Sequence, residues 1–255
     1  MKASIVIANF NNAKYIQDCI SSLKSQTYNN VEIIFFDDNS KDNSVEIIEK
    51  FEGVKIIKNN IQTQYGSLNQ INAFKRAVEI STGDIIFFLD SDDFFNINKV
   101  EKIIKLFLSD SNKMIIFDFP IILKDEKKIK QKKVKNIFNT YWGYIHPTSC
   151  IAIRKSFINK VFNSIHNDRF TDIWLDLRIL LFSKYVHTYH TINENLTYYR
   201  KTEENVSSKF KKFSKSWWRR REEAHNYFFD FIGKNNIKRK RNLDYYITNL
   251  INRFI

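Results

Sequence analysis

The stretch Gly83-Asp84-Ile85-Ile86-Phe87-Phe88-Leu89-Asp90-Ser91-Asp92-Asp93-Phe94-Phe95 joins an apolar run to an acidic stop. Ile85 to Leu89 shows no polar alternation, which predicts a strand buried on both faces. It ends at Asp90, Asp92 and Asp93. Carboxylates this close repel one another, and their pKa values rise unless a cation neutralises them. If the strand continues, Asp90 and Asp92 point the same way and suit an oxygen-seeking Mg²⁺ or Mn²⁺. Parallel α/β sheets bind ligands just beyond their strand carboxyl ends, where these acids would lie. The plainer alternative is a solvated acidic turn leading into a helix.

Working outward, the same grammar recurs. Ser4 to Asn9 and Val31 to Phe36 read as strands, the second stopping at Asp37-Asp38. Between them Ile16, Ile20 and Leu23 repeat at helical spacing. Asn43 followed by Glu46 predicts a capped helix through Phe51. Val54 to Lys58 is a third strand, and Ser67 to Ser81 a helix with Leu68, Ile71, Phe74 and Val78 on one face. Asn98 opens another helix, and Met114 to Phe119 reads as a further strand. The alternation predicts an α/β fold with a mostly parallel sheet. Both acidic clusters then share one sheet edge.

Composition narrows the function. The 255 residues suffice for one large α/β domain, or a domain with an appendage, and 43% hydrophobic content supports a core. Only five glycines occur, too scattered for a dinucleotide or P-loop phosphate cradle. Cys19 and Cys150 have no metal or redox spacing and are expected as idle thiols in a reducing compartment. Strand-like sequence begins at Ala3, so no signal peptide is expected, and no apolar run approaches the roughly 20 residues needed to span a bilayer. The net charge of +13 suggests a polyanionic partner: nucleic acid, anionic lipid or a phosphorylated substrate.

Lys124 to Lys135 holds seven lysines and reads as a solvated hairpin or loop. Phe170 to Phe182 returns to helical spacing, with Asp172, Asp176 and Arg178 on it, and Leu196 to Tyr199 reads as a late strand. From Lys201 to Ile255 there are 14 basic and 6 acidic residues. The pair Trp217-Trp218 beside Arg219-Arg220-Arg221 suits a membrane interface rich in anionic lipid. Equally, it suits an ordinary helix docking its aromatics on the core. His146, His187 and His190 fall in no motif and are expected to be structural.

Taken together, Ser4-Ile-Val-Ile-Ala-Asn-Phe-Asn-Asn, Ser25-Gln26-Thr27-Tyr28, Glu32 to Ser40 and Gly83 to Asp93 resemble inverting glycosyltransferase family 2. The resemblance implies a GT-A fold, Rossmann-like with flanking helices, here over 1–205, with a nucleotide-sugar half (1–110) and an acceptor half (111–205). Residues 206–255 would form a basic amphipathic helical appendage. By resemblance, Asp38 would accept a hydrogen bond from the nucleotide base, with Asn9 and Phe10 in the same pocket. Asp90 and Ser91 would lie on the nucleotide-sugar side, and Asp92 and Asp93 would meet Mn²⁺ or Mg²⁺. Asp172 falls on the position of the catalytic base, with Asp176 one turn later as runner-up. The sequence departs from the family at Ala8 for Pro, Thr171 for Glu, and Thr202 for a His commonly found near the metal. Lys75 and Arg76 stand where an Asn is often found.

The expectation is therefore a metal-dependent inverting transferase, moving a hexose or N-acetylhexosamine from a UDP-sugar to a glycan or lipid-linked acceptor. It would be cytoplasmic and peripheral on the inner membrane. The alternatives are a basic nucleic-acid-binding protein, disfavoured by the acidic cluster, and a transferase-like scaffold without activity.

Overall fold

The computed structural model describes residues 1–124, 127–131, 140–165, 169–201 and 210–255. Four parallel strands form its first half: β3 (Val54–Lys58), β2 (Val31–Asp37), β1 (Ala3–Asn9) and β4 (Ile85–Asp90), adjacent in that order. The sheet continues through β8 (Ile151–Arg154), β6 (Ile115–Lys124), β9 (Thr191–Arg200) and β5 (Phe94–Phe95). β8 runs antiparallel to both neighbours and β5 antiparallel to β9, while β6 and β9 are parallel. The α/β fold is as the alternation predicts, and its first half is parallel, while the second half mixes parallel and antiparallel pairings.

Period-two alternation divides the strands between two cores. Val6, Ile34, Ile86 and Phe88 face one layer, which includes α3 (Gly66–Ile80), α5 (Lys155–Ser164), α6 (Leu175–Val186) and α7 (Lys215–Lys234). Ile5, Phe35, Phe87 and Leu89 face α1 (Ala13–Lys24), α2 (Ser44–Ile48) and α4 (Lys99–Ser109). Covering both faces is what lets Ile85 to Leu89 be apolar throughout.

The amino end of β4 is set by close packing. A Cβ at Gly83 would lie 2.5 Å from Ser4 Oγ and 2.8 Å from Ser4 N, so only glycine fits. Beneath it the buried Glu32 carboxylate accepts Ser4 Oγ (2.6 Å), Gly83 N–H (3.1 Å) and Lys55 Nζ (2.9 Å). Burial by itself would raise its pKa, but these hydrogen bonds and that of Thr82 N–H override it and hold the acid far below the usual range.

A buried ion pair ties α4 to the second half of the sheet. Lys99 Nζ, at the start of α4, donates to Asp118 Oδ1 (3.1 Å), the Ser149 carbonyl (2.7 Å) and Thr197 Oγ1 (2.5 Å). Every ammonium proton is thereby used, as a buried lysine requires.

Three expectations change. The helix expected over Phe170 to Phe182 begins only at Leu175. Arg178 reaches back from α6, its Nε to the Ile173 carbonyl (2.8 Å) and Nη2 to that of Phe170 (2.9 Å), and this holds Phe170 to Trp174 as a turn. Asn43 makes no side-chain cap on α2; Asp42 Oδ1 instead accepts the Ser44 N–H at 3.0 Å. The antiparallel strand β8 and helix α5 have no counterpart in the sequence pattern. Of the lysine-rich segment, the described part pairs β6 with β7 (Lys127–Lys130) as a hairpin. Residues 125–126 and 132–135, Thr202 and the 205/206 boundary lie outside the described residues.

Both cysteines are buried free thiols, and His146 is a buried structural histidine. Its Nδ1 lies 2.8 Å from the Asp118 carbonyl and its Nε2 3.1 Å from the Tyr189 hydroxyl. In the tail, α7 buries Tyr227, Phe228, Phe231 and Ile232 in the core, and α8 (Leu243–Asn252) packs on α7.

Candidate functional site

A cavity of about 490 Å³ opens at the carboxyl ends of β1, β2 and β4. The β-sheet register explains why acids converge there: Asp37 pairs with Asn9 across β1–β2, and Asp90 with Ala8 across β1–β4. Asn9, Phe10, Asp38, Asp90 and Asp92 all line this one cavity, although in the sequence they belong to three separate strand ends.

On the β2 side, Asp38 is fixed by side-chain amides. Its Oδ1 accepts Asn59 Nδ2 at 2.7 Å and its Oδ2 accepts Gln62 Nε2 at 2.8 Å. Arg76 in turn donates to Asn59 Oδ1 at 3.1 Å and lies over the Phe36 ring, so this cation braces the pocket from behind. Two amides leave further lone pairs on the Asp38 carboxylate for a ligand N–H. The buried Asn9 donates to Asp37 Oδ1 at 2.8 Å, while its own Oδ1 has no hydrogen-bond partner among the described residues.

The β4 acids divide by role. Asp90 accepts Gln70 Nε2 at 2.9 Å, and its enclosure, followed by the neighbouring charge of Asp92, pushes its pKa up to about 7. Asp93 turns inward and does not line the cavity; its carboxylate accepts Ser149 Oγ at 2.6 Å and the Arg200 N–H at 2.8 Å. Burial, then the charges of Asp92 and Asp90, raise its pKa well above the usual range. Ser91 is likewise buried and outside the lining, where it accepts Asn12 Nδ2 at 3.0 Å.

The same cavity is lined by Trp174, Asp176, Tyr199 and Arg220, and the charge of Asp176 is felt at Asp90. Asp176 occupies the first turn of α6, where its Oδ1 accepts the Leu177 N–H at 2.6 Å. Enclosure raises its pKa, partly countered by the charge of Arg220. The Trp174 indole N–H is buried with no hydrogen-bond partner among the described residues. Asp172 is exposed and is not part of the lining; it lies in the turn before α6. Gln62, Gln70, Trp174 and Arg220 are site residues that motif reading misses. Arg220 is hidden inside a basic run whose net charge says nothing of which side chain faces inward.

The donor set suits a divalent cation completed by substrate. Among the described residues, no three His, Cys, Asp or Glu side chains converge to cage an ion. Mg²⁺-type sites commonly use one or two carboxylates and complete the shell with substrate phosphates and water. Asp92 and Asp90 both line the cavity and offer that donor chemistry, and part of the raised pKa of Asp90, after burial, is the repulsion of Asp92 that a cation would relieve. The residues fit.

The sequence pattern of the family described as Glycosyl transferase family 2 matches residues 4–168. An uncharacterized glycosyltransferase of Nostoc sp. is 31% identical over 214 residues, covering 78% of this chain and 65% of that protein. The Escherichia coli UDP-Glc:alpha-D-GlcNAc-diphosphoundecaprenol beta-1,3-glucosyltransferase WfaP is 40% identical over 126 residues, 46% of this chain and 48% of that protein. S. aureus TarS, solved with UDP-GlcNAc, aligns over 88% of this chain and 65% of its own, with a TM-score of 0.64. Its identity is 16%, a likeness of fold. The chain thus spans between about half and two thirds of the length of these relatives.

Proposed function

The chain belongs to glycosyl transferase family 2, and on that premise we propose that it moves a hexose or N-acetylhexosamine from a UDP-sugar, with inversion, to a hydroxyl of a surface glycan. The observation that carries this reading is the single cavity that brings Asp38, Asp90, Asp92 and Asp176 together. A lipid-linked acceptor is supported by WfaP, whose name specifies a diphosphoundecaprenol-linked substrate.

Asp38, held by Asn59 and Gln62, accepts the uracil N–H. Asn9 and Phe10 line the same cavity. Asp92, with Asp90 alongside, would hold Mn²⁺ or Mg²⁺ against the diphosphate. When bound, the ion supplies charge neutralisation to the departing nucleoside diphosphate. Trp174 offers the sugar an apolar face.

Single displacement needs a base to take the proton of the attacking hydroxyl. Asp176 is the carboxylate in position to act as that base. It lines the same cavity as Asp92, its charge is felt at Asp90, and its raised pKa makes it a stronger base than an exposed acid. Arg220 beside it is a cation available to an anionic group of donor or acceptor.

Calorimetric titration with a panel of UDP-sugars, with and without Mn²⁺, tests the reading beside Asp92→Ala. One UDP-sugar should bind in a metal-dependent way and lose that dependence in the variant. Failure of every nucleotide sugar to bind would overturn it.

A further inference from the structure

Helix α8 is built inside out. Its buried residues are Asp244 and Thr248, whereas Leu243, Tyr246, Ile247 and Leu250 are 75%, 57%, 41% and 54% exposed. Their spacing places all four on one stripe, and Phe254 just beyond the helix is 82% exposed. A surface helix ordinarily turns such a stripe toward the protein.

The orientation is fixed by polar contacts on the other side. Asp244 Oδ1 accepts Arg221 Nε at 3.0 Å, and its Oδ2 lies 2.9 Å from His225 Nε2. Asn252 Nδ2 donates to the Trp218 carbonyl at 3.0 Å. At the helix start, Asn242 Oδ1 caps the Tyr245 N–H at 3.0 Å. Rolling the stripe inward would strand the Asp244 charge, so the apolar face stays outward.

Basic residues flank the stripe. Lys238, Arg239, Lys240 and Arg241 precede it and Arg253 follows, all exposed. Tyr141 pins the run to the protein, its hydroxyl donating to the Lys240 carbonyl at 2.9 Å and accepting the Asn242 N–H at 2.6 Å. Between residues 231 and 255 the one acid is Asp244, which is turned inward.

We propose that this face lays α8 flat on an anionic lipid bilayer, with Leu243, Ile247, Leu250 and Phe254 entering the acyl boundary and the basic run meeting lipid phosphates. No helix among the described residues is long and apolar enough to cross a membrane. An anionic surface complements the exposed basic run, which a second copy carrying the same positive charge does not. The contact surface differs from the one the sequence suggests: Trp217 and Trp218 are half-buried, and Arg221 lies over the Trp217 ring.

Vesicle flotation tests this without any assay of transfer, so its failure is separable from failure of the proposed activity. The chain should float with phosphatidylcholine–phosphatidylglycerol vesicles and not with phosphatidylcholine alone. Leu250→Glu, with Leu243→Asp as a second variant, should weaken binding by about tenfold or more. Replacing Lys238 to Arg241 by Gln should weaken it by about a hundredfold or more and remove its salt dependence. Unchanged thermal melting would show that the variants fold. Absence of flotation, equal binding to neutral vesicles, or a solution dimer that Leu250→Glu dissociates would each overturn the proposal.

Discussion

Glu223 of α7 accepts the backbone N–H of Asp172 at 3.1 Å, so the tail helix grips the turn that precedes α6. Ser67 of α3 donates to the Thr171 carbonyl in the same turn, and Arg178 holds Phe170 and Ile173 from α6. Three helices therefore fix five residues whose end, Trp174, is a wall of the cavity.

That placement separates two neighbouring acids. Asp176→Asn is expected to lower kcat by about 10²- to 10⁴-fold, the usual worth of a positioned general base, with donor affinity kept. Asp172→Asn should stay within a few-fold of the parent. Steady-state rates together with calorimetric donor binding check both; the reverse ranking would return the base to Asp172.

Arg220→Ala is expected to raise the KM of one substrate by about tenfold, consistent with loss of one charge-assisted contact. Arg220→Lys should recover part of that loss, because the charge remains while the fork geometry goes. Varying donor and acceptor separately shows which of them Arg220 meets. No change in either KM would remove it from the site.

Arg178→Met keeps bulk but deserts the carbonyls of Phe170 and Ile173. A cost of about 2–4 kcal/mol is expected from two buried acceptors left unpaired. Denaturant unfolding measures it, and a value near zero would mean that the turn holds without Arg178.

Glu32→Gln should destabilise by about 1–3 kcal/mol at neutral pH through loss of a buried charged acceptor. Because the folded pKa of Glu32 is depressed, its contribution is fully present above the ordinary glutamate range. It is lost as pH falls through that range toward the folded value. Melting curves of parent and variant should therefore converge in acid and diverge toward neutrality.

The parallel half of the sheet is legible because its central strands, buried on both faces, carry apolar runs stopped by acids: Ile33 to Phe36 at Asp37, Ile85 to Leu89 at Asp90. Residues on those stops, Asp38, Asp90 and Asp92, reach the cavity for the same reason. Ile151 to Arg154 is not legible, since a four-residue strand between two others is defined by its partners and not by its own pattern. The start of α6 is misplaced by the sequence because helical spacing from Phe170 onward is real. The backbone is kept out of the helix by Arg178, eight residues beyond Phe170. Asp93 looks like a ligand, yet its partners Ser149 and Arg200 lie far along the chain, where local reading has no access.

The Asp93 contact also orders events during synthesis. The carboxylate that ends the acidic turn is satisfied by Arg200, 107 residues later, and Lys99 waits for Ser149 and Thr197. A ribosome adding roughly 5–20 residues per second needs about 5–20 seconds to supply that interval. Until then the emerging first half carries a buried-type acid and a buried-type cation with their partners untranslated. Its sheet can begin to form early, but the cavity at the strand ends is completed only once β9, which carries the lining residue Tyr199, has left the exit tunnel.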